Sequence, residues 1–259
     1  MGKPKLLEQG NPDRVRWRTL GLAFTGRGHV LSGEPCQDRH KVASLLNGDL
    51  VVIVADGAGS AEFSDEGARV ATETCLTQIA ERAQRKRLAR QDYYGIFLSA
   101  AERVSHYARS FNLSPRKFAT TLNVLHCTRA GTANASIGDS GCIIVTGQDE
   151  LEILAPPFKG RYANETAFLS QSMVERYFSY GETLNSINGY IAATDGIFDL
   201  LFQQDQINSQ SAHALIDCLR RQEPTQAEKE LTAFCQSGTI ARFTRDDLTL
   251  ILGLPTEEK

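Results

Sequence analysis

The sequence predicts an α+β fold in which helix pairs are inserted into a succession of largely antiparallel strands. Short runs rich in valine, isoleucine and threonine, separated by turns that contain Gly, Asn or Asp, indicate the strands. Longer segments with apolar residues spaced three and four apart indicate helices. The predicted helices are 65–87, 92–110, 212–221 and 224–235. No internal repeat, low-complexity tract or linker divides the chain.

The elements follow one another from a polar leader onwards. Residues 1–14 are expected to be a flexible leader, and residues 15–254 to form a single domain. A loop is expected at 26–38, and a polar loop at 155–165 is followed by extended segments up to residue 180. The predicted strands are 17–24, 40–46, 50–55, 119–127, 132–137, 141–146, 151–154, 187–194 and 248–252.

Two apolar runs end in an Asp-Gly step, and these two places organise the prediction of function. The runs at 51–55 and 190–194 lead directly to Asp56 and Asp195. Since glycine allows a tight turn, each aspartate is expected at the end of a rigid strand. The hairpin that contains the first run turns at its far end, so Asp38 should lie at the same end as Asp56.

Five aspartates lie where predicted strands meet turns. Their oxygen atoms are the ligands that Mg²⁺ and Mn²⁺ prefer, whereas zinc usually draws nitrogen or sulfur. So many carboxylates in one place would repel each other unless they are protonated or bridged by cations. The alternative, that each aspartate only caps its own turn, agrees equally well with the spacing. The five are Asp38, Asp56, Asp139, Asp195 and Asp246.

Composition excludes several classes of protein. The net charge of −3 offers no basic field for nucleic acid or an acidic membrane. The apolar stretches are shorter than the ~20 residues that span a bilayer, and the N-terminus lacks the apolar region of a signal peptide, so a cytoplasmic address is expected. The six cysteines include no Cys-x-x-Cys pair, which excludes a zinc knuckle. Cys36 is expected to be a packed loop thiol, with a redox-sensitive thiol as the alternative.

Familiar phosphate and metal motifs are also absent. An EF-hand loop beginning at Asp56 would need oxygen ligands where Ala58 and Gly67 stand. The glycines at 26–28 and 57–59 lack the third glycine of a dinucleotide fingerprint, and there is no Walker lysine motif. An aspartyl-phosphate mechanism would need a second acid where Ala58 lies.

Six segments, in this order, resemble motifs of the metal-dependent type-2C protein phosphatases in a bacterial form. Each segment alone is a weak match, but six in the family's order over roughly residues 17–252 are specific. The matching segments are Pro35-Cys36-Gln37-Asp38-Arg39, Val54-Ala55-Asp56-Gly57-Ala58-Gly59, Ala119-Thr120-Thr121-Leu122, Ile137-Gly138-Asp139-Ser140, Ala193-Thr194-Asp195-Gly196-Ile197-Phe198-Asp199 and Arg245-Asp246-Asp247-Leu248-Thr249.

The resemblance implies an antiparallel β-sandwich flanked on both sides by helix pairs, in four layers. It also implies two Mn²⁺ or Mg²⁺ ions in a cleft at one end, with a third and weaker ion in some members. Asp56 would bridge the two ions, and Asp195 and Asp246 would complete the shell of one. The implied metal ligands are Asp38, Asp56, Gly57 (through its carbonyl), Asp139, Asp195 and Asp246.

The function implied is that of a serine/threonine protein phosphatase, which hydrolyses phosphomonoesters with a water or hydroxide held between two ions. Its partners would be phosphorylated proteins, the substrates of a cognate kinase, with no nucleic acid and no membrane. The expected catalytic residues are Asp56, Asp195, Asp246 and His29. Arg27 and His29 are the candidate substrate contacts, although a surface arginine and a loop histidine are the plainer interpretation.

The chain departs from the family pattern at four positions. Gln37 stands where a glutamate is usual, and Gly33 where an arginine usually holds the substrate phosphate. Ala58 replaces a histidine that some members carry as a proton donor. Asp247 replaces an asparagine, a mild change that keeps an oxygen ligand.

Two alternative functions therefore stay open. One is a catalytically weak member of the fold that serves as a binding or regulatory module, and the other is a hydrolase of small phosphate esters. The loop at 155–172, with Lys159 and Arg161, is a hypothetical flap over the cleft, and a solvated connector is the alternative. Thr120 and Thr121 are expected to be packed strand residues.

Overall fold

The computed structural model of the protein describes residues 15–158, 166–203 and 206–256. Two five-stranded sheets stack face to face, and neighbouring strands within each are antiparallel. The first sheet contains, in spatial order, β1 (Arg16–Phe24), β12 (Leu248–Thr256), β9 (Ile187–Ala193), β6 (Gly141–Thr146) and β7 (Leu151–Glu152). The second contains β2 (Arg39–Ser44), β3 (Leu50–Ala55), β4 (Leu122–Thr128), β5 (Gly131–Ile137) and β8 (Ser179–Thr183).

Helices cover the outer face of each sheet. Those packed on the second sheet are α2 (Ser64–Ala83), α3 (Arg90–Ser110) and α4 (Gln171–Tyr177). Those packed on the first sheet are α5 (Asp195–Phe198), α6 (Ser209–Arg221), α7 (Pro224–Cys235) and α8 (Ile240–Phe243). The remaining elements are α1 (Arg27–Ser32), 3₁₀ turns at Pro115–Phe118 and Asp199–Leu201, and a ribbon of β10 (Phe202–Gln203) and β11 (Gln206–Ile207).

Strand β3 is buried on both faces, which explains its unbroken apolar sequence. Leu50 and every second residue after it pack in the core between the two sheets. Val51 and every second residue after it pack under the helical layer of α2 and α3. The same division recurs in β9, where Tyr190 faces the second sheet and Ile191 faces the layer of α6 and α7. This arrangement confirms the predicted four-layer sandwich.

The helical layers are held by large buried side chains on the expected faces. Ile96 and Phe97 of α3 pack against the second sheet, and Ile216, Leu219 and Leu231 of α6 and α7 pack against the first. Burying a side chain of this kind contributes about 1.5–3 kcal/mol. The helical spacing seen in the sequence therefore marks the buried stripes.

Several short elements were not expected from the sequence, among them α5, α8 and the β10–β11 ribbon, and two of the differences have a clear physical reason. The loop predicted at 26–38 contains the helix α1, none of whose residues is buried, so it leaves no apolar period to detect. It ends at Gly33, whose φ of 75° forms a left-handed cap. The stretch predicted as extended up to residue 180 contains α4, begun by Ser170, whose hydroxyl accepts the N–H of Met173.

No helix among the described residues is both long and apolar enough to cross a lipid bilayer. The predicted leader, residues 1–14, lies outside the described residues, as do Lys159 and Arg161 of the hypothetical flap. All six cysteines are free.

Candidate active site

The predicted aspartates lie at one end of the sandwich because of the pairing register of the strands. Arg39 pairs with Ala55, so Asp38 and Asp56 leave β2 and β3 side by side, as the hairpin prediction required. Ala193 of β9 pairs with Gly141 on one side and with Leu250 on the other. Asp139 lies just before β6, Asp195 just after β9 and Asp246 just before β12, so all three lie at the same end of the first sheet.

The five predicted aspartates are called the acidic cluster below, and Asp38 is the most deeply buried of them, with 3% of its surface exposed. Its Oδ2 accepts a hydrogen bond of 2.7 Å from the Thr194 hydroxyl, while its Oδ1 has no partner among the described residues. Burial raises the pKa of Asp38 to about 7, and the charges of Asp247 and Asp195 act in the same direction. A cation bound nearby would favour the ionised form of this carboxyl group.

Asp56 is held in place through its backbone. Its N–H donates to the Thr121 hydroxyl at 2.9 Å, and its carbonyl accepts the Thr120 hydroxyl at 2.9 Å and the Thr121 N–H at 2.8 Å. Burial, followed by the charges of the neighbouring aspartates, of which Asp38 and Asp195 act most strongly, raises the pKa of Asp56 well above its usual range. The two threonines expected only to pack in a strand therefore also fix this aspartate.

Asp195 and Asp139 complete the first-sheet side of the cluster. Burial raises the pKa of Asp195 to about 6, Asp139 adds to the effect, and a hydrogen bond from Asp56 opposes it. Burial also raises the pKa of Asp139, whose Oδ2 accepts a hydrogen bond from the Thr166 hydroxyl. The Oδ1 atoms of both Asp139 and Asp195 are buried without a partner among the described residues.

Gly57 lies where a side chain would not fit. A Cβ at this position would lie 2.8 Å from the Gln37 carbonyl oxygen and 2.9 Å from Ser64. Its backbone also pairs with Thr120 in an isolated bridge. The turn that follows Asp56 can thus pack tightly only with glycine here. The ligand role of its carbonyl stays a prediction.

Asp247 joins three segments around the cluster. Its Oδ1 accepts the Gly26 N–H at 2.6 Å, and its Oδ2 accepts the Gln37 N–H at 2.5 Å. The Nδ1 atom of His29 lies 3.0 Å from its Oδ1. Only 2% of the Asp247 side chain is exposed, whereas Asp246 is exposed. Asp247 therefore organises the site, although the sequence predicts only a mild change from the family's asparagine at this position.

His29 faces the candidate site, and Arg27 lies at its margin. The His29 Nε2 is 4.0 Å from the point that a Cβ on Gly59 would occupy, so the ring lies over the turn that follows Asp56. Burial alone would lower the pKa of His29, but the close contact and charge of Asp247 raise it overall, although the angle at Nδ1 is not that of a hydrogen bond. Arg27 is an exposed residue at the start of α1.

Two of the positions that depart from the family pattern, Gln37 and Gly33, have very different surroundings. The Gln37 side chain is buried, and its Oε1 has no partner among the described residues. Gly33 caps α1, and a Cβ there would meet nothing within 4 Å. The place of the usual phosphate-binding arginine is therefore an exposed helix end, away from packed neighbours.

The acidic cluster fits divalent cations. Three buried carboxylate oxygens, one each from Asp38, Asp139 and Asp195, have no hydrogen-bond partner in the described part of the chain. Unpartnered buried carboxylates are costly unless they are protonated or coordinate a metal ion. His29, Asp246 and Asp247 offer a further set of ligand atoms within 4.8 Å of one another. The hard oxygen atoms of this end of the sandwich suit Mg²⁺ or Mn²⁺.

Cys36 does not have the surroundings of a reactive thiol. Burial raises its pKa to about 12, and the charges of Asp247 and Asp38 contribute. Because the thiolate is the reactive form, this thiol is protected at neutral pH. The structure favours the packed loop thiol over the redox-sensitive one.

Several positioning residues were not identified as such from the sequence. Thr194 donates to Asp38, Thr166 donates to Asp139, and Thr120 and Thr121 fix the Asp56 backbone. Thr120, Thr121 and Thr194 lie within the segments that resemble family motifs, and Thr166 lies outside them. Only their hydrogen bonds across the sheets reveal what they do.

Comparison with known proteins gives one consistent result. Residues 25–236 match the sequence model of the family described as Protein phosphatase 2C. The chain is 28% identical over 261 residues to Serine/threonine-protein phosphatase 3 of Escherichia coli (strain K12), an alignment that covers 94% of this chain and 100% of that protein.

Solved structures share the fold at low sequence identity. The serine/threonine phosphatase Stp1 from Staphylococcus aureus superimposes with a TM-score of 0.65 at 13% identity, over 98% of this chain and 100% of that one. RsbX, crystallised in complex with magnesium, superimposes with a TM-score of 0.58 at 15% identity, over 93% of this chain and 96% of that one.

Proposed function

Because this chain belongs to the protein phosphatase 2C family and is a phosphatase, we propose that it hydrolyses phosphoserine and phosphothreonine esters in proteins with the help of two divalent cations, Mn²⁺ or Mg²⁺. When bound, such cations supply positive charge that makes water nucleophilic near neutral pH and offsets the charge of the phosphoryl oxygens. The observation that carries the proposal is the convergence of buried, unpartnered carboxylate oxygens at one end of the sandwich.

The chain's own residues divide this work among them. Asp56 would be shared by the two cations, since the charges of Asp38, Asp195, Asp139 and Asp246 all act on it. Asp38 would hold the cations from the side of the second sheet, and Asp195 and Asp246 from the side of the first. The Gly57 carbonyl would be a further ligand, and Asp139 would serve a weaker third position.

His29 and Arg27 act on the substrate. The Nδ1 of His29 lies 3.0 Å from Asp247, and its Nε2, 3.7 Å from the Glu34 carboxylate, faces the turn after Asp56. From there it gives a proton to the oxygen of the departing serine or threonine. Arg27, exposed at the start of α1, contacts the phosphoryl group in place of the arginine missing at Gly33.

The test is hydrolysis of a phosphopeptide and of a small aryl phosphate in the presence of Mn²⁺, with EDTA as the metal-free control. We expect turnover of both, abolished by EDTA. Cleavage of the aryl ester alone would favour the hydrolase of small esters. Absence of turnover, with retained binding of the phosphopeptide, would favour the regulatory module and refute the proposal.

One variant isolates the bridging carboxylate. Replacing Asp56→Asn should lower turnover by about 10³-fold, because the amide supplies no charge to hold two cations. Circular dichroism should show an unchanged fold. The matched control is Asp217→Asn on the surface of α6, where the same chemical change affects only ion pairs with Arg220 and Arg221. Turnover of Asp56→Asn within a few-fold of the control would exclude the bridging role.

A further inference from the structure

An apolar groove lies among the helices that cover the first sheet. It has a volume of about 730 Å³ and is lined by residues of α5, α6, α7 and α8 and of the turns between them. Its lining includes the leucines Leu215 and Leu231 and two surface phenylalanines, Phe234 and Phe243, with 39% and 70% of their areas exposed. A concave apolar surface of this size is typical of a site that binds a ligand.

The groove and the acidic cluster share a boundary. Asp195 and Gly196 line the groove at the start of α5, and Asp195 is a proposed metal ligand. Thr244 lines it at another edge, and its hydroxyl accepts the backbone N–H of Asp246, a second proposed ligand, at 3.0 Å. A chain that lies in the groove is therefore directly beside the place where the phosphoryl group would be held.

The chemistry of the lining restricts the occupant. Three of the described lining residues are acidic, Asp195, Asp199 and Glu230, and none of those described is lysine or arginine. An anionic headgroup or a free nucleotide would find no basic side chain among them. A bulky apolar side chain accompanied by a positive charge matches the apolar walls and the two acidic residues outside the proposed metal site, Asp199 and Glu230.

We propose that this groove binds the part of a phosphoprotein that flanks its phosphorylated residue and selects substrates carrying a bulky apolar residue and a lysine or arginine there. The inference rests on the proposed phosphatase function and names the class of substrate that the site prefers.

The experiment compares two phosphopeptides that differ only in their flanks. One carries leucine or phenylalanine with arginine within three residues of the phosphoserine, and the other carries alanine at those positions. We measure kcat/KM with Mn²⁺ for the wild type, for Phe234→Ser and for Phe243→Ser. The matched control is Phe111→Ser, which removes an exposed phenylalanine (57%) at the end of α3, on the other helical layer.

The wild type should prefer the apolar, basic peptide by at least about tenfold, the effect expected of burying one large side chain. Each groove variant should lower this preference to within about threefold, mainly through KM, while the control variant keeps it. No preference in the wild type, or an equal loss in the control variant, would overturn the inference.

Binding is measured separately, so that the groove is judged even if no phosphate is released. Calorimetry with the dephosphorylated apolar peptide, in EDTA, should show binding that Phe234→Ser weakens and Phe111→Ser does not. Lack of turnover of every ester refutes the proposed function, whereas lack of peptide binding refutes the groove. Sedimentation that shows a dimer broken by Phe234→Ser, with the peptide preference unchanged, would assign the groove to a second copy of the chain and refute the inference.

Discussion

Among the single residues, Asp247 shows what a carboxylate contributes that the amide of an asparagine would not. A carboxylate offers two acceptor oxygens, and here each receives a backbone N–H from a different segment, Gly26 and Gln37. An asparagine at this position could accept only one of them and would direct its own N–H groups at the other. The negative charge also holds the His29 ring.

We therefore expect Asp247→Asn to lower the free energy of unfolding of the metal-free protein by about 1–3 kcal/mol, the cost of leaving a buried group unpaired. Urea unfolding in EDTA measures this loss. The surface change Asp217→Asn should cost less than about 1 kcal/mol. Equal stability of the two variants would show that the second oxygen of Asp247 does no structural work.

The candidate site could be predicted from the sequence as far as its aspartates are concerned. Each follows or precedes an apolar run, and a strand end is a position that sequence reveals. The threonines that hold them could not, because the bond from Thr194 to Asp38 joins residues 156 positions apart. Such a contact depends on the register of both sheets and leaves no local pattern.

At the scale of elements, the short helix α1 is positioned by the loop before β12. The Gly28 N–H donates to the Arg245 carbonyl at 2.8 Å, and the Gly26 N–H donates to Asp247. A Cβ on Gly26 would overlap the backbone of Asp246. Glycine at the start of α1 thus allows this helix and a proposed metal ligand to lie in contact.

In Gly26→Ala the new methyl group would overlap the Asp246 backbone, so α1 and the segment that carries Asp246 should move apart. We expect Mn²⁺ affinity, measured by titration calorimetry, to fall by about tenfold or more, as it does when the supports of metal ligands are disturbed. The control is Gly147→Ala, where an added Cβ meets nothing within 4 Å. Equal affinities in the two variants would contradict this coupling.

The elements with the clearest apolar pattern are predicted most accurately from the sequence. The bounds of β3 and α7 agree with prediction residue for residue, since one is a solid apolar run and the other begins with Pro224 and carries an apolar stripe. Helices α1, α4 and α8 have only four to seven residues and at most one buried residue each. They are stabilised by caps and by contacts with distant segments, which a periodicity search does not register.

At the scale of the whole molecule, the acidic cluster links stability to pH. Burial raises the pKa of Asp38 to about 7 and of Asp195 to about 6, whereas an unfolded aspartate titrates near ~4. Between these values the folded protein keeps protons that the unfolded chain has lost. Its stability without metal is therefore greatest at the acidic end of this window and decreases as pH rises through about 6 and 7.

We expect the melting temperature of EDTA-treated protein to be several degrees lower at pH 8 than at pH 5. Added Mn²⁺ should raise it more at pH 8 than at pH 5, because protons compete with the cation for the carboxylates. Glu66 and Asp92, whose pKa values are lowered, act in the opposite sense only at pH values below about 4. Burial lowers the pKa of His40, which opposes the trend up to about pH 6.5, but the raised pKa values of several aspartates outweigh this single group. A melting temperature of the EDTA-treated protein that rises from pH 5 to pH 8 would contradict the expectation.

Alternate residues of β3 pack in two different cores, one under α2 and α3 and one between the two sheets. The strand that leads to Asp56 therefore cannot separate from one core while it stays packed in the other. Amide hydrogens of Ile53 and Val54 should then exchange with solvent only when the entire protein opens. Asp56, the proposed ligand that follows this strand, is therefore expected to stay fixed for as long as the molecule is folded, and any mobility that admits or releases a substrate would belong to the segments around it.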